Sequence, residues 1–93
     1  MNSHQTKVHL WIARHGGYWD KRDMGLRCVE KAGGIARGVR CAPQDLRPML
    51  GDLLFNLFAI SNAYGFDAQQ LLDDAIARYD NAFTGPITAE EEK

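Results

Sequence analysis

Apolar residues in this chain recur at three- and four-residue intervals, in four stretches separated by glycine, proline or aspartate. That spacing marks amphipathic helices, and no stretch shows the alternation of a strand. Between Ser3 and His15, Val8, Trp11 and Ile12 predict a short helix with Ser3 placed to cap it and Gly16 and Gly17 to end it. The segment GGYWDKRD reads as a loop whose Tyr18 and Trp19 fold back on the core, with Asp20 or Asp23 placed to cap the next helix. In that helix Leu26, Val29, Ala32, Ile35, Ala36 and Val39 form the apolar stripe, leaving Arg27, Glu30, Lys31 and Gly34 largely outside it. Gly33, Gly34 and Gly38 each cost about 1 kcal/mol relative to alanine inside a helix, a concession that close packing would explain.

Cys41 to Asp45 forms a connection, and Pro43 and Pro48 stand where a first helical turn needs no amide donor. A third helix is predicted from Leu46 to Tyr64, stopped by Gly65. A fourth, capped by Asp67, carries Leu71, Leu72, Ala75, Ile76, Tyr79 and Phe83 at helical spacing. The expected architecture is a compact all-α four-helix bundle over residues 1–83, followed by an acidic, weakly ordered tail over 84–93.

With 93 residues and a formal net charge of −1, the chain makes one small domain without the basic field that would attract nucleic acid. Limited core in so short a chain favours self-association, as a homodimer or homotetramer through apolar helix faces. Cys28 and Cys41 lack zinc-ligand spacing and read as free thiols. No run approaches the roughly 20 apolar residues of a membrane span, and the N-terminus lacks a signal-peptide core, so the expectation is a cytoplasmic protein with no membrane contact.

The candidate chemistry centres on MLGDLLFNLF, residues 49–58, where Asp52 interrupts an otherwise apolar run. A carboxylate at an apolar boundary needs a cation, a metal or hydrogen-bond donors. Asn56, one turn later, either completes a polar ligand-binding spot with it or closes an internal hydrogen bond. Glu30, Asp20, Asp23 and Asp45 are further carboxylates, read mainly as caps or solvated charges. Arg78 is placed either to hold phosphate or to pair with Asp74 on its own helix, and Arg37 and Arg40 pose the same choice. Trp11, Tyr18 and Trp19 serve as base-stacking surfaces or as packing groups. His4, His9 and His15 show no metal-pair spacing.

Three segments resemble the MazG-like all-α nucleoside triphosphate pyrophosphohydrolases. GDLLFNLFAISNAYGFDAQQLLDDAIARYDNAF is similar to the family's GDLLF helix, glycine-ended turn and following helix with its basic-aromatic pair, here Arg78 and Tyr79. GGYWDKRDMG resembles the aromatic-Trp-Asp-x-x-Arg loop of a subgroup, and GLRCVEKAGGIARGVR stands where the first metal helix would be. The resemblance implies magnesium-dependent cleavage of a nucleoside triphosphate to a monophosphate and pyrophosphate. It also implies carboxylates from Glu-Glu-x-x-Glu on one helix and Glu-x-x-Asp on the next, because residues three apart share a face and their oxygens suit a hard dication. Here the first motif reads EKAGG, keeping Glu30 but placing Lys31 and Gly34 at the second and third glutamates. The second reads MLGD, with Met49 at its glutamate and only Asp52 retained. One of the four principal ligands, Asp52, therefore survives, and Lys31 stands ready to pair with it in place of Mg2+. The implied function is that of a divergent member with weak or absent hydrolysis, its substrate-binding residues being Arg78, Lys31, Asn56 and Trp19. The alternative is a non-catalytic nucleotide-binding or protein-interaction module.

Overall fold

A computed structural model describes residues 2–82. They form four α-helices: α1 (Ser3–Arg14), α2 (Lys21–Arg40), α3 (Leu46–Tyr64) and α4 (Ala68–Ala82), with a single 3-10 turn at Pro43–Asp45 leading into α3. No strand occurs among the described residues. The proposed tail over 84–93, and Phe83 at the end of the fourth apolar stripe, lie outside them.

Local chemistry explains most boundaries. Asn2, not Ser3, caps α1. The Asn2 side chain accepts from the Gln5 amide at 2.8 Å, and the Gln5 side chain accepts from the Asn2 amide at 3.4 Å, a reciprocal pairing that needs positions three apart. Asp20 caps α2 by accepting from the Arg22 amide at 2.8 Å. Gly65 ends α3 in the left-handed region at φ 73°, and Asp67 starts α4 by accepting from the Gln69 amide at 3.2 Å.

Helices α1, α2 and α3 pack around Val8, Ile12, Met24 and Ala59, with Tyr18, Trp19, Phe55, Phe58, Ile60 and Ala63 closing over them. The most extensive pairing joins α2 to α3, and it uses a different face of α2 from the one expected. Met24, Gly34 and Gly38 are buried, whereas Leu26, Val29 and Val39 of the expected stripe are 60%, 69% and 66% exposed. Close approach is the physical reason. A Cβ at position 34 would lie 2.9 Å from the Met49 sulphur, and one at position 38 would lie 3.3 Å from Leu46 Cδ1. The glycine surface admits α3, and Leu26, Val29 and Val39 lie on the opposite side of the helix, turned outward.

Gln5, fully buried, is the hub between α1 and the α3–α4 corner. Its amide donates to Asn62 Oδ1 at 3.0 Å and to the Phe66 carbonyl at 2.9 Å, while its Oε1 accepts from the Ala68 amide at 2.8 Å. Asn62 returns a bond to the Gln5 carbonyl at 3.0 Å. This latch fixes the start of α4, but beyond it α4 has no buried residue and packs only lightly on α3. No described helix is long and apolar enough to cross a membrane.

Candidate functional site

Asp52 stands on α3 one turn before Asn56, and α2 brings Lys31 opposite it across the glycine-lined seam. Lys31 Nζ lies 3.3 Å from Asp52 Oδ2, with the two side chains 34% and 52% exposed. The carboxylate is therefore not sealed in the apolar interior: it faces solvent on one side and an ammonium on the other. Asn56 is buried, and its Nδ2 donates to the backbone carbonyl of Asp52 at 2.8 Å. This amide group thus serves its own helix and does not touch the Asp52 carboxylate through that bond.

These residues line a cleft of about 190 Å³ together with Trp19, Arg27 and Phe55. Trp19 reaches it from the loop after α1, where Gly16 and Gly17 take φ values of 101° and 90° and the Gly17 amide donates to Ile12. The Arg27 guanidinium lies 4.4 Å from the centre of the Trp19 ring. Stacking fixes the plane of the guanidinium while leaving its edge able to donate. Arg27 was missed from sequence. Its signal is positional, since it precedes Lys31 by four residues and so shares a helix face with it. Two cations against one carboxylate give this cleft a positive bias suited to phosphate or carboxylate oxygens.

Of the candidate residues, Trp19, Lys31, Asp52 and Asn56 come together, while Arg78 on α4 is not among the residues lining the cleft. Asp74 accepts from Gln70 at 2.9 Å, not from Arg78. Asp20 is engaged as a cap, Asp23 and Glu30 border a separate surface depression with Leu26 and Arg27, and Asp45 is exposed beside α3. His9 Nδ1 meets the Tyr18 hydroxyl at 2.8 Å, and the His15 ring stacks on Trp11 with centroids 4.0 Å apart. Burial raises the pKa of Cys28, which is half-buried on α2, whereas Cys41 is exposed.

The donor set does not fit magnesium. That ion demands close to octahedral oxygen coordination. Among the described residues, no three His, Cys, Asp or Glu side chains converge on one point. Asp52 offers a single carboxylate already faced by an ammonium, and the positions of two expected acids are held by Gly34 and Met49, which pack against one another.

The chain matches no family model, no curated protein and no solved structure.

Proposed function

We propose that this chain is a divergent MazG-like protein that binds the phosphates of a nucleotide through fixed cations and lacks the magnesium-dependent cleavage typical of that group. The observation that carries the reading is the Lys31–Asp52 pair at 3.3 Å, which puts a covalently held positive charge where the resemblance implies a metal ion. An ammonium neutralises phosphate oxygens but does not generate a nucleophilic hydroxide, so the substitution favours binding over hydrolysis. Arg27 supplies a second donor, and the face of Phe55 or Trp19 supplies an apolar surface for a base. Arg78, which the resemblance makes a phosphate contact, has no part in this cleft within one chain.

The test combines two readouts on a panel of nucleoside triphosphates with magnesium or manganese. Thermal melting should rise on the order of 10 °C at 100 times the dissociation constant, and pyrophosphate should not accumulate. Pyrophosphate release that disappears in Asp52→Asn would establish a rearranged catalytic site and overturn the proposal. Absence of any thermal shift with every nucleotide would overturn it from the other side.

A further inference from the structure

We propose that the cleft between Trp19, Arg27, Lys31 and Asp52 takes a nucleoside monophosphate in preference to the corresponding triphosphate. The inference rests on the nucleotide-binding reading above and adds to it the length of phosphate chain that the site accepts. Charge is the first ground. Within the cleft Arg27 and Lys31 face the one carboxylate of Asp52, which leaves a single net positive charge. Lys31 spends part of its attraction on Asp52, whose oxygen it meets at 3.3 Å. Arg27 makes no ion pair among the described residues, and its stacking on Trp19 leaves the guanidinium edge open to a phosphate. A phosphomonoester carries about −1.5 to −2 near pH 7, which two cations can meet. Each further phosphate adds charge that the cleft does not match.

Both ends of the cleft reinforce this limit. Asp23 stands four residues before Arg27 and Glu30 three after it, and both line the depression that adjoins the cleft at Arg27. Cleft and depression together hold two cations against three carboxylates. A phosphate chain extending past Arg27 therefore meets like charge. Past Lys31 the seam is closed, because Gly34 packs so tightly on Met49 that a Cβ there would lie 2.9 Å from the sulphur. Size is the second ground. The cleft encloses about 190 Å³, less than the roughly 300–1,000 Å³ of pockets that bury a drug-sized ligand. Trp19 and Phe55 line the same small space as the two cations, so a base on either ring and a phosphate on Arg27 lie about one sugar apart. That is the layout of a monophosphate, whereas the terminal phosphate of a triphosphate stands two groups farther from its base.

The experiment is titration calorimetry on the full chain, in excess chelator at fixed ionic strength, with the mono-, di- and triphosphates of one nucleoside. Affinity should fall along that series, the triphosphate binding at least about tenfold more weakly than the monophosphate. The double variant Asp23→Asn with Glu30→Gln, both at exposed positions and checked for folding by circular dichroism, supplies a second arm. It should tighten the triphosphate by about threefold or more and leave the monophosphate within about twofold. A triphosphate that binds as tightly as the monophosphate, or more tightly, overturns this inference and leaves nucleotide binding standing. A gap that the double variant does not narrow overturns it as well, since the flanking carboxylates then do not set the preference. Failure of all three ligands to bind overturns both this inference and the reading beneath it.

Discussion

Helices α2 and α4 are both amphipathic, yet they meet the rest of the molecule in opposite ways. In α2 the buried residues are Met24, Gly34 and Gly38, and Leu26, Val29 and Val39 of its aliphatic stripe are left outside. In α4 the aliphatic stripe is well formed, but the described residues leave most of it uncovered. The difference teaches that hydrophobic periodicity locates a helix without deciding what its apolar face touches. Shape decided for α2, since a backbone without side chains lets two helix axes approach and gain contact along their length. For α4 the deciding factor is the corner held by Gln5, which fixes where the helix starts while no described residue of the helix is buried.

The sharpest way to break this comparison is to remove one aliphatic group from each region. Ile12 is 1% exposed in the three-helix core. Ile12→Ala should cost about 3 kcal/mol, whereas Ile76→Ala, measured in dilute monomer, should cost less than about 0.5 kcal/mol. Urea denaturation monitored by circular dichroism reads both. Equal losses would mean that α4 is integral to the monomer core.

A smaller effect tests the latch. Gln5→Ala strips partners from Asn62, the Phe66 carbonyl and the Ala68 amide, and should destabilise the chain by about 2 kcal/mol. Its distinguishing mark is local: amide exchange should quicken in α4 and at the α3–α4 corner before it quickens along the α2–α3 seam. Uniform acceleration throughout would remove the distinction between the two regions.

The smallest effect concerns the thiols at the two levels of packing along α2. Burial favours the neutral form of Cys28, so its folded pKa is raised. Cys41, exposed at the end of the helix, should therefore be alkylated faster than Cys28 near pH 8. The gap should narrow as pH rises further. By linkage, the stabilisation from keeping Cys28 neutral is complete below the ordinary thiol range and is lost as pH climbs through the raised value. Mass spectrometry of partly alkylated protein tests the order.

Much of the backbone was legible in the sequence. Leu46–Tyr64 was set by the long apolar run and Gly65, and the Asp67 cap followed from an aspartate before helical periodicity. The orientation of α2 was not legible, because glycine carries no hydrophobic signal even where it makes the tightest contact. Gln5 escaped notice because a polar residue near a terminus looks solvent-exposed; its spacing to Asn2, three residues, was the available hint of a capping box. At the cleft, Lys31 and Asp52 could be named from motif positions, and the structure brings them to 3.3 Å. Arg27 and its stacking on Trp19 needed the fold, since a loop aromatic and a helix cation meet there only through the turn at Gly16 and Gly17.

On the proposed function, the Lys31 ammonium beside Asp52 neutralises nucleotide phosphate charge without a metal ion. Titration calorimetry with a nucleoside triphosphate, in excess chelator and again in magnesium, tests it most directly when Lys31→Gln is measured alongside. Binding should survive chelation and weaken at least about tenfold in Lys31→Gln, the loss expected for a charge-assisted contact to phosphate. Binding that vanishes with chelator and is indifferent to Lys31→Gln would contradict it.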